Sequence, residues 1–103
     1  MSGATTNGGR HMVGPVLRSG ELADAVIEAI RIDNPGSEID LVDRGAYIRV
    51  QTLGRCRLTR ESFSDALGRP AELNEIEPWL TSFAGRISTG SDEITWEESR
   101  SGS

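Results

Sequence analysis

The sequence predicts a small single-domain α+β protein. Its short, mostly antiparallel strands are expected to form two small sheets, with two main helices, one short helical turn and flexible termini. A length of 103 residues suits one domain with a modest core. One stretch carries apolar residues at helical spacing, and several short segments alternate apolar with polar residues. No internal repeat or linker divides the chain.

The two ends of the chain are polar, whereas the interior is densely patterned. Residues 1–12 are rich in Gly, Thr and Asn, a composition that predicts a disordered leader because it cannot bury enough apolar surface to order itself. Residues 98–103 are equally polar and predict a flexible tail. We therefore expect the folded domain to span residues 13–97.

The first elements are predicted to be a strand and a helix. Residues 13–18 favour a strand, and Pro15 indicates an edge position because proline cannot donate to a ladder. Ser19 is a candidate N-cap for a helix over residues 20–33. The sequence Asn34-Pro35-Gly36 ends this helix. The apolar stripe of the helix consists of Leu22, Ala25, Val26, Ala29 and Ile30.

Residues 38–58 predict three strands. Apolar and polar residues alternate through this stretch, and turns are indicated at residues 43–45 and at Gly54. Ala46, Ile48, Val50 and Thr52 are expected on one face, with Tyr47, Arg49 and Gln51 on the other. The three strands predict an antiparallel meander with one buried face.

The second half of the chain predicts a shorter helix, one helical turn and two further strands. Thr59 is a candidate cap for the helix, which Gly68 and Pro70 end. Asn74 to Glu77 have the spacing of a capping box, limited to about one turn by Pro78. Residues 82–87 predict one strand, and a hairpin loop at 89–92 leads to a last strand with Ile94 and Trp96.

The charge and the cysteine content limit the kinds of partner and the cellular compartment that we expect for this protein. The net charge is −5, which argues against nucleic acid, since affinity for phosphate depends on cationic side chains. All eleven cationic residues are Arg, whose planar fork suits carboxylates on a protein partner. A single Cys excludes an internal disulfide framework, and no apolar run approaches a membrane span. We expect a cytoplasmic protein, monomeric when free, with no membrane partner.

The sequence offers little chemistry for an enzyme. His11 lies in the leader without a second ligand at metal spacing. Arg55 and Arg57 flank Cys56 and could favour a thiolate, but Cys56 shares a face with Leu58 and is expected to be a buried core thiol. No cofactor-binding motif is present. We predict a binding protein rather than an enzyme; a generic adaptor domain and, least favoured, a small enzyme using Cys56 stay open as alternatives.

Four backbone motifs in a fixed order resemble a known family. They are Val13-Gly14-Pro15, Asp33-Asn34-Pro35-Gly36, Gly68-Arg69-Pro70 and Ser82-Phe83-Ala84-Gly85. Together they resemble the coupling (effector, or regulatory) proteins of bacterial multicomponent diiron monooxygenases, a family that includes methane monooxygenase regulatory protein B and the phenol hydroxylase effectors. The likeness spans residues 13–96 and is greatest to the effectors of toluene 4-monooxygenase and toluene/o-xylene monooxygenase.

The resemblance implies a protein with no cofactor, metal or catalysis of its own. It implies binding to the α-subunit of a diiron hydroxylase, where the effector couples electron transfer and O₂ activation to substrate hydroxylation or epoxidation. It also implies competition or alternation with a Rieske-type ferredoxin. By analogy, the candidate partner-binding residues are Asn34, Pro35, Gly36, Arg69, Pro70, Ser82 and Phe83. We expect substitutions of Phe83 and Asn34 to weaken coupling more than folding.

Overall fold

The computed structural model describes residues 11–98 and confirms the predicted α+β class. The helices and strands within these residues follow in the order β1 (Met12–Arg18), α1 (Glu21–Asp33), β2 (Asp40–Asp43), β3 (Tyr47–Leu53), β4 (Arg55–Thr59), α2 (Arg60–Leu67), a 3₁₀ helix (Leu73–Trp79), β5 (Leu80–Ala84), β6 (Arg86–Thr89) and β7 (Glu93–Glu97). The predicted leader and tail fall largely outside the described residues, although β1 begins at Met12, inside the predicted leader.

The strands form two antiparallel sheets. The first sheet has the order β2-β3-β1-β5, and the second has the order β4-β7-β6. Helix α1 packs against α2 and β4, and the predicted apolar stripe of α1 faces the core, with Ala25, Val26, Ala29 and Ile30 buried and Leu22 partly buried. The core therefore lies between the helices and the inner faces of both sheets.

Several local predictions are confirmed. The Thr59 side chain accepts a hydrogen bond from the Ser62 backbone N–H at 3.2 Å and caps α2. Gly68 ends this helix with a left-handed φ of 79°, and Gly36 has a φ of 83° in the turn after α1. Gly90 donates its backbone N–H to the Glu93 carbonyl at 2.9 Å in the predicted hairpin.

The predicted cap of α1 is wrong. Gly20 occupies the N-cap position without a side-chain hydrogen bond. The Ser19 hydroxyl instead donates to the Gly45 carbonyl at 2.6 Å, and its backbone N–H donates to the Ala46 carbonyl at 2.9 Å. Ser19 therefore holds the start of the helix against the β2–β3 turn, a contact that local sequence does not reveal.

The predicted edge position of β1 is also wrong, because β1 pairs with both β3 and β5. The β1–β3 ladder pairs Val13 with Thr52 and resumes at Val16 with Arg49, so it skips Gly14 and Pro15. A Cβ on Gly14 would lie 2.1 Å from the Val50 carbonyl oxygen. The sheet tolerates a central proline because the regular ladder is interrupted where the missing N–H would be needed.

The predicted three-strand meander breaks after its second strand. β2 and β3 pair as expected, but β4 joins the second sheet and pairs with β7. Both edges of β3 are already occupied, by β2 and β1, so no position beside it is left for β4. The alternation of β4 is nonetheless as predicted, with Cys56 and Leu58 buried.

Two further predictions in the second half need correction. The capping box is formed by Glu72 and Glu75 rather than by Asn74 and Glu77, and a 3₁₀ helix follows it. The single strand predicted over residues 82–87 is two strands in different sheets, with Gly85 between them at a φ of 98°. A Cβ on Gly85 would lie 2.7 Å from the Glu97 carbonyl oxygen, so the close approach of β7 requires glycine.

Candidate functional site

The Asn34 side chain is fully engaged inside the domain. Its Nδ2 donates to the carbonyls of Ile30 at 2.7 Å and Arg57 at 2.8 Å, and its Oδ1 accepts from the Arg57 backbone N–H at 2.9 Å. The Ile30 carbonyl also accepts the Asn34 backbone N–H at 3.1 Å, so the side chain adds a second bond at the end of α1 and fastens the helix to β4. Asn34 therefore positions the following Pro35 and Gly36, both of which are exposed.

Sequence reasoning missed the neighbouring Asp33, which joins the two helices. Its carboxylate accepts hydrogen bonds from the Thr59 backbone N–H at 2.7 Å and from the Ser62 hydroxyl at 2.7 Å. Thr59 and Ser62 belong to the cap and first turn of α2, so one carboxylate fixes the angle between α1 and α2. The sequence provided little indication of this role. Asp33 lies at the C-terminal end of α1, where the helix dipole disfavours a negative charge, so a structural carboxylate is not expected there.

Arg69 and Pro70 lie beyond α2 on a separate part of the surface. The Arg69 guanidinium donates to the Glu75 carboxylate at 2.9 Å, and this hydrogen bond lowers the pKa of the Glu75 carboxyl and raises the pKa of Arg69. Arg69 also borders a shallow groove of about 330 Å³ beside the exposed Trp79 and the first turn of α1. An aromatic side chain beside an arginine is typical of protein-binding surfaces.

Ser82 and Phe83 occupy the edge strand β5 and point to opposite faces, as successive residues of a strand do. Ser82 stands opposite Val16 on the outer face of the first sheet, and Phe83 stands opposite Pro15. Phe83 retains 42% exposure, and within residues 11–98 no strand pairs with the outer edge of β5. The two residues can therefore contact one partner only along the edge of the sheet.

The predicted contact residues do not form a single cluster. Helix α1 has 13 residues and is about 20 Å long at the usual rise of about 1.5 Å per residue. Residues 34–36 follow its C-terminal end, whereas Arg69 borders a groove with Glu21 and Leu22 at its N-terminal end. Ser82 belongs to a third region, on the first sheet.

The outer face of the first sheet brings together residues that the site prediction omitted. Val16, Val42, Arg44, Tyr47, Arg49 and Ser82 surround a depression of about 350 Å³, and Arg18 stands opposite Tyr47 in the β1–β3 register. We call these seven residues the arginine–tyrosine face. Half-buried valines form its apolar base, and Tyr47 is 47% exposed. The alternation of Tyr47 and Arg49 was visible in the sequence, but the contributions of β1 and β2 depend on strand register.

The cations of the arginine–tyrosine face are poorly neutralised. Arg18 and Arg44 form no ion pair with any of residues 11–98, and the nearest pair of Arg49 is a long contact of 3.8 Å to Asp40. The Nε of Arg49 is buried and has no acceptor within the same residues. In a chain of net charge −5, this face is a local region of positive charge that suits an acidic partner.

The structure gives Cys56 no catalytic environment. The thiol is fully buried, and burial raises its pKa to about 11, with a hydrogen bond from Thr52 opposing the shift and Asp33 adding to it. A neutral buried thiol is a poor nucleophile. Residues 11–98 contain no group of three or more His, Cys, Asp and Glu side chains arranged to hold a metal ion.

None of the helices formed by residues 11–98 combines the length and apolar character needed to cross a membrane.

Comparison with known proteins identifies relatives across almost the whole chain. A family model described as the MmoB/DmpM family matches residues 11–97. The alkene monooxygenase system effector subunit of Xanthobacter autotrophicus (strain Py2) is 48% identical over 97 residues, which cover 93% of this chain and 96% of that protein.

Solved structures share the fold. A chain in the structure of a phenol hydroxylase–regulatory protein complex matches with a TM-score of 0.73 and 27% identity, over 86% of this chain and all of that chain. The soluble methane monooxygenase regulatory protein B matches with a TM-score of 0.65 and 21% identity, over 88% of this chain and 67% of that one. The second likeness concerns the fold alone.

Proposed function

The chain belongs to the MmoB/DmpM family, and from this premise we propose that it is the non-catalytic effector subunit of a multicomponent monooxygenase. It binds the α-subunit of a diiron hydroxylase and couples electron transfer and O₂ activation to hydroxylation or epoxidation of a hydrocarbon. We further propose that it acts in the cytoplasm and is monomeric when free.

One observation supports this function above the others. The identity of 48% to an alkene monooxygenase effector extends over nearly the full length of both proteins. Full-length similarity at this level favours a shared role rather than a shared fold alone. The buried, neutral Cys56 supports the same conclusion, because it removes the one nucleophile on which a small-enzyme alternative depended.

We propose the arginine–tyrosine face as the centre of the docking surface. Arg and Tyr are enriched among residues that dominate binding energy at protein interfaces. Arg18 and Arg44 form no ion pair within residues 11–98, and their guanidinium groups can form bidentate contacts with partner carboxylates. The valine base supplies apolar area next to these charges, which is the usual anatomy of an interface core and rim.

The residues identified by resemblance are proposed to extend this surface or to shape it. Ser82 lies on the arginine–tyrosine face itself, and Phe83 adjoins it at the sheet edge. Residues 35–36 and 69–70 are exposed at the two ends of α1 and would reach a partner at the periphery. Asn34 is proposed to act through loop geometry, because its amide is already hydrogen-bonded within the domain.

An effector without chemistry changes a rate through its differential affinity for two states of its partner. If it binds the active conformer of the hydroxylase more tightly, it raises the population of that conformer. Coupling free energies of about 1–3 kcal/mol correspond to shifts of roughly 5- to 150-fold. A docked subunit that covers the hydroxylase surface also limits water access to the reacting centre.

The experiment that tests this function is reconstitution with the alkene monooxygenase system of the Xanthobacter relative. Purified hydroxylase, reductase and ferredoxin are supplied with NADH and alkene, and the chain is titrated in while product formed per NADH consumed is measured. We expect a saturable rise of about 5-fold or more, no turnover by the chain alone, and full activity of Cys56→Ala. An unchanged product yield, or loss of activity in Cys56→Ala with intact folding, would contradict the proposal.

The proposed competition with a Rieske-type ferredoxin has a separate test. If the two proteins share a surface on the hydroxylase, excess effector should slow reduction of the hydroxylase by the ferredoxin, and added ferredoxin should reverse the slowing. Stopped-flow reduction at fixed hydroxylase concentration measures both effects. Reduction rates independent of effector concentration would show that the two sites are distinct.

A further inference from the structure

The two sheets end in four edge strands, and three of these edges are protected against pairing with another chain. β2 carries exposed aspartates at both of its ends, Asp40 and Asp43. β6 begins with the exposed Arg86. Charged side chains on an edge strand oppose the addition of another strand, so neither of these edges is suited to accept one.

The edge of β4 is protected by the end of α1. The Asn34 side chain bonds both the backbone N–H and the carbonyl of Arg57, and the Asp33 carboxylate accepts the Thr59 backbone N–H. These side chains take the hydrogen bonds that a neighbouring strand would otherwise make. The domain therefore covers the side of β4 that does not pair with β7.

The outer edge of β5 lacks both kinds of protection. Residues 80–84 include no charged residue and no proline, and no strand formed by residues 11–98 pairs with this edge. The three central residues of the strand are exposed. The register shift in its pairing with β1 falls before Ser82, so Ser82 to Ala84 pair regularly with β1. β5 therefore offers an edge to which an extended segment can pair.

The two faces of a strand added at this edge would meet different chemistry, because successive side chains point to opposite faces. One set would lie beside Ser82 on the arginine–tyrosine face. Arg18 belongs to β1, two strand spacings or about 10 Å from the added strand, which arginine and glutamate side chains span together. The other set would lie beside Phe83, which is 42% exposed and favours apolar cross-strand neighbours.

Charge distinguishes a separate partner from the other possible occupants of this edge. Residues 1–10 and 99–103 contain no Asp or Glu, so neither end of the chain supplies carboxylate side chains to the arginine–tyrosine face. A second copy paired edge to edge about a twofold axis would place its own arginine–tyrosine face on the same side of the joined sheet. Like charges would then be brought together, which disfavours this pairing.

We propose that the outer edge of β5 binds an extended segment of a partner protein by strand addition. This segment alternates acidic residues, which face the arginine–tyrosine face, with apolar residues, which pack beside Phe83. Main-chain hydrogen bonds provide affinity in this mode of recognition, and the alternating side chains provide specificity. The inference uses the charge of the arginine–tyrosine face but not its proposed contact with a hydroxylase. It is tested on the isolated chain, so its failure and that of the proposed function are distinguishable.

The probe is the acetylated and amidated heptapeptide TEVEVET, whose alternation is the same in both chain directions. It is titrated into the ¹⁵N-labelled full chain while the backbone amide resonances are recorded. We expect saturable shifts centred on residues 80–84 and slower hydrogen exchange of the β5 amides that point away from β1.

Three control peptides separate alternation, charge and backbone pairing. TEEEVVT has the same composition as TEVEVET without the alternation, and TKVKVKT reverses the charge. A form of TEVEVET that is N-methylated at its five central residues keeps the side chains but removes the backbone donors. Each control should bind at least about 10-fold more weakly, as the loss of several cross-strand pairs or main-chain hydrogen bonds predicts. Equal affinity of TEVEVET and any of these controls would overturn the proposal.

Two truncations compare the opposite edges of the first sheet. Phe83 on β5 and Leu41 on β2 are exposed to a similar extent, 42% and 39%. Phe83→Ala should weaken binding of TEVEVET by about 5-fold, whereas Leu41→Ala should leave it unchanged, with both melting temperatures close to that of the parent. Equal losses in the two variants, or shifts centred on β2, would overturn the proposal.

Hydrogen exchange of the peptide-free chain identifies the other occupants. Protection of the outward β5 amides that disappears on dilution would show pairing with a second copy. Protection that is independent of concentration would show that another segment of the chain covers this edge. Either result would overturn the proposal, which requires these amides to exchange rapidly until the peptide is added.

Discussion

The two sheets of this small domain use arginine in opposite ways. In the second sheet, Arg55 and Arg86 approach the Glu97 carboxylate from neighbouring strands at 3.2 and 4.0 Å, and Arg57 pairs with Glu93 at 2.6 Å. On the outer face of the first sheet, Arg18 and Arg44 form no ion pair with any residue that the structure describes. The second sheet pairs these three cations internally, whereas the first sheet leaves Arg18 and Arg44 exposed to solvent.

This difference in arginine pairing indicates which of the two sheets is suited to bind a partner. Arginines that already hold a carboxylate gain little from a second one, because their Coulomb attraction and hydrogen bonds are satisfied. Unpaired arginines gain new charge-assisted bonds when a partner supplies acceptors, and they also steer its approach. The second sheet is therefore interpreted as part of the structural framework and the first sheet as the docking surface.

The largest effect is expected from breaking the first sheet at its centre. Gly14→Ala places a Cβ within 2.1 Å of the Val50 carbonyl at a φ of 146°, so β1 and β3 must separate locally. We expect a loss of at least about 3 kcal/mol in the free energy of unfolding, measured by chemical denaturation. Gly36→Ala is the matched control, since its φ is also positive but its Cβ meets nothing within 4 Å.

The control should lose only about 1–2 kcal/mol, the cost of a left-handed conformation. Equal losses in the two variants would show that the close approach of β1 and β3 does not stabilise the first sheet.

The second sheet is probed through Cys56 at alkaline pH. Burial raises the pKa of this thiol from 9.0 to about 11, so the folded state holds the proton after the unfolded chain has lost it. The contribution of the protonated Cys56 thiol to the free energy of unfolding is fully present below pH 9. It is lost as the pH rises to 11. The free energy of unfolding should fall by about 2–3 kcal/mol over this range.

Denaturation curves at several pH values check this effect, with Cys56→Ala as the comparison because it removes only this titration. A parent and a variant that lose stability in parallel between pH 9 and 11 would contradict a buried neutral thiol.

The smallest effect on stability is expected from single arginine substitutions in the two sheets. These substitutions should nevertheless differ clearly in their effect on hydroxylase binding. Arg44→Ala should weaken hydroxylase binding about tenfold, or roughly 1.4 kcal/mol, while stability changes by less than about 0.5 kcal/mol. Arg55→Ala is the matched variant on the second sheet, and it should lower stability by less than about 1 kcal/mol with unchanged binding. Binding is measured by calorimetry and stability by thermal melting.

The ionic strength of the buffer sharpens the same comparison. Binding of the parent should weaken as salt is raised, and Arg44→Ala should show a smaller salt dependence. A greater loss of binding in Arg55→Ala than in Arg44→Ala would reverse the assignment of the two sheets.

Much of the local structure could be predicted from the sequence. The apolar stripe of α1, the alternation of β4, the Thr59 cap and the Gly68 stop all depend on residues within a few positions of one another. Periodicity and capping chemistry are read from such neighbours.

The candidate site was less predictable, because its residues come from distant segments. Tyr47 and Arg49 could be placed on one face of β3, but Arg18 and Ser82 join them only through the β1–β3 and β1–β5 registers. Asn34 was singled out as a candidate partner contact, and the structure shows its amide bridging to Arg57, 23 residues away. The sequence alone does not show whether an asparagine amide binds a partner or forms hydrogen bonds within its own domain.

The sequence by itself determined that this chain forms one α+β domain, where its helices begin and end within a few residues, and that Cys56 is a core thiol. Only the tertiary structure decided that β1 lies at the centre of its sheet despite Pro15 and that β4 leaves β3 for β7. It also decided that Arg18 and Arg44, which form no ion pair with the residues that the structure describes, both lie beside Tyr47. The physical reason is the distance along the chain over which each interaction acts. Helical periodicity and capping depend on residues close in sequence. Strand pairing depends on burial and register between segments that only the folded chain brings together.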